Sequence, residues 1–323
     1  LNPERKTILF FGGGEFGLGK ERTVQILDSL IRNVPDYQIV AISGKNEKMK
    51  KKFEEINVKG TQSVIDFCLN TKKRLLHVST ISVSGNGEKE ETVIETPENI
   101  NDKKIFKESD IYVGQNIKGV YSTTKFRAEL LVLEAISSKG LDAQILRLGN
   151  ITNRYSDGVF QMNTDENAFA KRIKSFIEIG AFPNYLLPHS IELTPVDLAA
   201  EAIVKVANYT SYCNVLHIYN NNLLPIKLFI ETLSELGINL LPVPEKMMTD
   251  IITGILADNN RKDILSGIIY DLNENKQLVY TSRIRLNSNF TECFLEKIGF
   301  NWKNIDKEYI IKYICYLKKI NFI

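Results

Sequence analysis

The chain has 323 residues, 43% of them hydrophobic and 25% charged, with a formal net charge of +2, a balance that suits a globular protein long enough to bury a full core. That charge gives no global pull toward nucleic acid or anionic lipid, and no apolar run reaches the roughly 18 residues a membrane crossing needs. Three isolated histidines (His77, His189, His217) and four scattered cysteines (Cys68, Cys213, Cys293, Cys315) leave little material for a metal centre or a His-based hydrolase, so no metal site is expected. The first residues are polar and lack the apolar core of a secretion signal, so a cytoplasmic location is expected.

The first third alternates strand and helix patterns, the signature of a parallel sheet covered on both faces. "KTILFF" reads as a strand, "GGGEFGLGK" as a Gly-rich turn, and "ERTVQILDSLIRNV" as a helix with Val24, Leu27, Leu30 and Ile31 on one face. "YQIVAIS" is a second strand, and "EKMKKKFEEINVKGTQSVIDFCLNTKK" reads as one or two helices broken near Gly60. "RLLHVSTISVSG" suits a buried strand. Residues 88–110 are charged and without periodicity, which predicts a surface loop. "GVYSTTKFRAELLVLEA" predicts an amphipathic helix with Phe126, Leu130 and Leu133 along one face, and "LDAQILRLGNI" a further buried strand. Beyond about residue 153 the texture shifts to longer polar loops and to helices without regular intervening strands. One helix start is well marked there: in "LTPVDLAAEAIVKVAN", Thr194 is expected to cap, Pro195 to take the first helical position and Asp197 to close a capping box.

Chemistry concentrates at Tyr121 and Lys125. Residues four apart on a helix lie on one face, about 5 to 6 Å apart at Cβ. An ammonium beside a phenol favours the phenolate and makes the tyrosine a usable proton donor or acceptor near neutral pH. Thr80, ending the "LLHVST" strand, sits where parallel sheets bind ligands and can donate to a carbonyl oxygen gaining negative charge. A YxxxK spacing alone is common by chance; its company here, a strand-end hydroxyl, an amphipathic helix and a Gly-rich turn, gives it weight.

"LLHVSTISVSG", "YSTTKFRAE", "ILRLGNITNRYSDGVFQ" and "IELTPVDLAAEAIV" resemble the extended short-chain dehydrogenase/reductase superfamily, and specifically the thioester reductase domains that end nonribosomal peptide synthetases. The resemblance covers about residues 57–323. It implies a Rossmann-like, doubly wound α/β fold over residues 1–152, and a smaller, mainly helical substrate-binding part over 153–323 from which a segment near 190–220 returns to the first domain. It also implies NADPH-dependent release of an acyl or peptidyl chain from the phosphopantetheine arm of a carrier protein, as aldehyde or alcohol. Thr80 would then hydrogen-bond the thioester oxygen, Tyr121 would protonate it, and Lys125 would hold the ribose and tune Tyr121. Asn150 and Tyr155 would line the substrate cleft, although a turn role serves both equally well. Asn57 would join a proton relay, or serve as a helix-terminal asparagine.

Residues 1–56 are more similar to the start of the nucleotide-sugar-binding half of processive diacylglycerol glycosyltransferases, through "KTILFFGGGEFGLGK" and "QIVAISGKNEKMKKKFEEI", so the chain reads as a chimera joined near Ile56 and Asn57. Gly12, Gly14 and Gly17 satisfy a GxGxxG spacing suited to a pyrophosphate on a helix N-terminus, but with five glycines in eight residues some spacing will match. No acid follows the "QIVAIS" strand and Lys45 does, which favours NADP; the lysines from Lys45 to Lys52 otherwise read as a solvated face. A complete reductase would carry two more strands before the "NVKGT" helix, so strands are expected to be missing, with the sheet closing around a gap or the cofactor half rearranged. Two other functions stay open: another extended-family activity such as a sugar-nucleotide epimerase or dehydratase, and an inactive hybrid without a complete cofactor site.

Overall fold

The computed structural model describes residues 6–12, 37–43, 53–85, 104–117, 119–161, 163–209, 213–278 and 284–323. Two compact units divide the chain. The first comprises Leu1–Ile151, Thr194–Asn221 and Ser282–Trp302; the second comprises Thr152–Leu193, Asn222–Thr281 and Lys303–Ile323.

In chain order the first unit holds β1 (Lys6–Gly12), β2 (Tyr37–Ser43), α1 (Gly60–Thr71), β3 (Leu75–Thr80), β4 (Lys104–Phe106), α2 (Val120–Lys139), β5 (Ala143–Leu148), α3 (Val196–Ala207), β6 (Val215–Ile218), β7 (Ile284–Leu286) and α4 (Asn289–Lys297). Four of its ladders are parallel: β1 with β2, β3 with β5, β5 with β6, and β4 with β7. β3, β5 and β6 are buried throughout, as expected of strands covered on both faces. Val64, Ile65 and Cys68 of α1 and Val132 and Ala135 of α2 pack with Leu75, Ala143, Ile145 and Val215 into one core, and each large side chain so buried contributes about 1.5 to 3 kcal/mol.

β1–β2 and β3–β5–β6 are separate hydrogen-bonded ladders, yet β1 runs beside β3 with Cα atoms within 8 Å. The expected gap is therefore narrowed by β1 moving alongside β3 without a shared ladder among the described residues. One edge of β3 feels the consequence. Leu75 N–H points to β5, donating to Asp142 O at 2.8 Å, and alternation along the strand turns the Val78 carbonyl to the opposite edge. That carbonyl is taken by a side chain, Lys125, as described below.

The second unit has its own apolar core, in which Ile173 and Phe176 meet Phe229, Leu233, Ile252, Tyr313 and Leu317 from the helices Ala168–Ile179, Ile226–Glu235, Glu245–Ala257 and Lys307–Lys319. Short strands pair there as well, Ala181–Pro183 with Leu241–Val243 in parallel and Ser190–Ile191 with Leu224–Pro225 antiparallel, so this part is less purely helical than its sequence suggests.

Several local expectations are corrected. Gly60 does not break its helix: Glu54–Lys59 winds as a wide π-type turn, Gly60 N–H donates to Glu55 O, and α1 continues directly. The end of the anticipated 88–110 loop is strand β4, with Phe106 fully buried. α3 starts at Val196, so Pro195 takes the cap position and not the first helical one; the Thr194 hydroxyl accepts from Asn220 N at 2.9 Å, and Asp197 accepts from the adjacent Leu198 N. In α2 the buried face is Thr124, Lys125, Ala128, Glu129, Val132 and Ala135, whereas Leu130 is exposed. Apolar spacing misplaced that face because two of its members are charged.

Candidate active site

The site lies at the carboxyl end of β3. Thr80 is extended, 8% exposed, and caps the short helical turn Ile81–Ser84 by accepting from Ser82 N at 3.2 Å while its own hydrogen points to Ser82 Oγ at 3.1 Å. A hydroxyl hydrogen rotates freely, so this weak local bond can be exchanged for a ligand oxygen. Gly85 closes the turn at φ +62, where an added Cβ would lie 2.6 Å from Asn116 O; only glycine fits this close approach.

α2 opens after Gly119, itself at φ +84, and puts Tyr121 and Lys125 one turn apart on one face. Tyr121 is half-buried, its ring edge-on to Phe53 at 6.0 Å. Lys125 is 2% exposed and its ammonium donates to Val78 O at 3.1 Å. Burial lowers its pKa from 10.5 to about 8, against an opposing pull from the Glu129 carboxylate. His77, fully buried in β3, is pushed down to about 3 by burial and then by Lys125, so it stays neutral.

Asn57, 0% exposed in the π-type turn, donates to Thr124 Oγ1 at 2.9 Å, and its Oδ1 is buried with no hydrogen-bond partner among the described residues. Two further N–H groups of the Lys125 ammonium likewise make no recorded hydrogen bond among them. Asn57 Oδ1 is thus a buried acceptor and Lys125 a buried cation, groups of the kinds that can meet a ribose hydroxyl or a nicotinamide amide.

A buried network that motif reading did not single out joins α2 to the sheet. Ser79, Arg147 and His217 are register partners on β3, β5 and β6, so their side chains share one face of the sheet. Glu129, one turn past Lys125, meets them there. It accepts from Ser79 Oγ at 2.5 Å and from Arg147 Nη2 at 2.8 Å, with Arg147 Nε 3.1 Å from both carboxylate oxygens. Arg147 Nη1 reaches Asp110 O at 3.0 Å and His217 Nε2 at 3.2 Å. His217 Nδ1 lies 2.8 Å from Asn287 O, which can only accept, so Nδ1 carries the hydrogen and Nε2 accepts from Arg147. An arginine inside "ILRLG" and a glutamate four residues past the motif lysine were the sequence signals available for this network.

The remaining sequence-derived candidates separate. Gly12 is the last residue of β1, while Gly14, Gly17 and Lys45 lie outside the described residues. Asn150 is exposed in the first unit, its carbonyl accepting from Thr194 N at 2.9 Å. Tyr155 belongs to the second unit, stacked on Tyr309 at 5.8 Å under the Lys303 ammonium. Among the described residues no cluster of His, Cys, Asp or Glu could hold a metal ion, and no helix is long and apolar enough to cross a membrane.

A family model described as "Male sterility protein", an NAD-binding domain, matches residues 40–203. The chain belongs to this family. It is thereby an NAD(P)-dependent oxidoreductase of the extended short-chain dehydrogenase/reductase type, with a nicotinamide cofactor. The match begins at Val40, ahead of the junction placed near Ile56. Among solved structures, the chain resembles a thiolation-reductase di-domain of an archaeal nonribosomal peptide synthetase, with 23% identity and a TM-score of 0.75 over 99% of this chain and 76% of that one. It also resembles the terminal R domain of the myxalamid PKS-NRPS pathway, with 20% identity and a TM-score of 0.73 over 100% of this chain and 93% of that one. These likenesses establish the Rossmann-like fold. A glycine betaine reductase of Emericella nidulans is 32% identical over 118 residues, which is 36% of this chain and 9% of that protein's length.

Proposed function

We propose that the protein is an NADPH-dependent reductase that releases an acyl or peptidyl chain from the phosphopantetheine thioester of a carrier protein, as aldehyde or alcohol. The observation that carries this reading is the Lys125 ammonium, buried against β3 one turn beyond Tyr121 and beside the strand ending in Thr80. A bound reduced nicotinamide supplies a hydride to the thioester carbonyl carbon. Thr80 donates a hydrogen bond to the carbonyl oxygen as charge develops there, and Tyr121 delivers a proton to it, forming a hemithioacetal whose collapse yields aldehyde and free thiol. Lys125 holds the ribose with its spare N–H donors and keeps the Tyr121 phenol acidic. Asn150 and Tyr155 are assigned to the acyl-chain side. Gly12, Gly14 and Gly17 are assigned to the pyrophosphate, and Lys45 to a 2′-phosphate.

Support for a carrier-bound substrate comes from the similar structures, a thiolation-reductase di-domain and a terminal R domain. A second reading, a nucleotide-binding hybrid without turnover, draws on β1 and β3 running side by side in separate ladders. Titration with NADPH and with NADH, followed by nicotinamide fluorescence, tests the cofactor assignment: saturable binding that favours NADPH is expected, and no saturable binding of either would defeat the reductase reading. Addition of an acyl thioester on a carrier protein then separates turnover from mere binding.

A further inference from the structure

The two groups assigned to the carbonyl oxygen sit on different elements, Thr80 at the end of β3 and Tyr121 at the start of α2, joined by a chain segment that is only partly described. Something must hold their spacing, because effective proton delivery tolerates little misplacement. The packed contact between α2 and β3 can do so, and two polar links are built into it. Lys125 ties the helix to Val78 O, and Glu129 ties it to the Ser79 hydroxyl. Both attach to the residues immediately before Thr80.

We propose that Glu129 is a positioning residue that sets the separation of Thr80 from Tyr121 by tethering Ser79 to the helix that carries the tyrosine. The inference rests on the reductase reading above. Three features support it. Glu129 lies at i+8 from Tyr121 and i+4 from Lys125, so all three share a stripe of α2. Its carboxylate is held by the planar fork of Arg147, whose Nε and Nη2 donate to Glu129 and whose Nη1 reaches Asp110 O and His217, so the acceptor offered to Ser79 has one orientation. His217 is in turn fixed by Asn287 O and, through its own N–H, by Thr291, which bonds Glu108. The anchor thus reaches across three parallel strands before it touches Ser79.

Stability alone does not explain such a device. A buried ion pair is at best about as stabilising as well-packed apolar side chains of the same volume, because desolvation offsets the attraction between the charges. What the pair adds here is direction: a short, charge-assisted hydrogen bond to the hydroxyl next to Thr80.

The test compares Ser79→Ala, which removes the tether and leaves the Glu129–Arg147 pair intact, with Ser79→Thr, which keeps the hydroxyl. In Ser79→Ala, kcat for thioester-dependent NADPH oxidation is expected to fall about 10- to 100-fold. The thioester KM and the NADPH affinity by fluorescence should stay within about twofold of the parent, with an unchanged melting temperature. Ser79→Thr should recover most of the turnover. Parent-like kcat in Ser79→Ala overturns the proposal, and so does a loss that merely follows a drop in melting temperature and cofactor affinity. Should the parent protein itself show no thioester turnover, the functional reading fails separately, and crystal structures decide the positioning role. A Thr80 Oγ1 to Tyr121 Oη distance altered by more than about 0.5 Å in Ser79→Ala sustains it, and an unaltered distance overturns it.

Discussion

Lys125 is held in the fold against its own preference, and replacing it with methionine exposes that cost. Its pKa falls from 10.5 to about 8, mainly through burial. At about 1.4 kcal/mol per pKa unit, this amounts to about 3 kcal/mol working against the folded state at neutral pH, where the ammonium is protonated in folded and unfolded chains alike. The sign follows from proton counting: between pH about 8 and 10.5 the unfolded chain binds more protons than the folded one, so stability rises with pH across that window. Lys125→Met removes the term and fills the space with an apolar side chain. It also leaves Val78 O without its donor, at about 1 to 3 kcal/mol. At pH 7 the variant should therefore be as stable as the parent or up to about 2 kcal/mol more stable, while losing turnover and most of its cofactor affinity. Above pH 10.5 it should be the less stable of the two, the difference having moved by about 3 kcal/mol. Urea unfolding of both proteins at the two pH values measures this directly. A variant several kcal/mol less stable at pH 7, or a gap that does not change with pH, refutes the picture of Lys125 as a desolvated functional cation.

Arg147→Met alone leaves the Glu129 carboxylate buried without its cation, and should lower unfolding stability by about 3 to 5 kcal/mol in the same urea assay. The double variant Glu129→Leu/Arg147→Met should recover much of that stability but show low turnover, since Glu129→Leu removes the Ser79 tether. Gly85→Ala, forced into a left-handed backbone with its methyl against Asn116 O, should cost about 1 to 3 kcal/mol and lower turnover by displacing the turn that follows Thr80, read by urea unfolding and NADPH oxidation together.

How much of this could be read from the residues alone depends on whether spacing or tertiary contact decided the outcome. The parallel strands Leu75–Thr80 and Ala143–Leu148 and the helix Val120–Lys139 were legible because continuous apolar runs and helical periodicity are local signals. The orientation of that helix was not. Phe126, Leu130 and Leu133 mark the more apolar stripe, yet the buried stripe contains Lys125 and Glu129, whose burial is possible only because Val78 O, Ser79 and Arg147 receive them. The contact of the Thr194 hydroxyl with a distant amide, Asn220 N, was illegible for a related reason: it depends on tertiary packing. The short interval after "QIVAIS" led to an expectation of missing strands that falls on residues 44–52, outside the described residues, whereas β1 lying beside β3 without a common ladder among the described residues, and Lys125 meeting the carbonyl on that edge of β3, follow from packing that no local pattern encodes.

The central claim is that the phenol of Tyr121 transfers the proton in a nicotinamide-dependent reduction of a thioester. It is tested most directly by following loss of the reduced nicotinamide absorbance with a carrier-bound acyl thioester in the parent protein and in Tyr121→Phe. Thioester-dependent oxidation is expected in the parent and a loss of about 100-fold or more in the variant, with NADPH affinity retained. Equal turnover in the two proteins would contradict it.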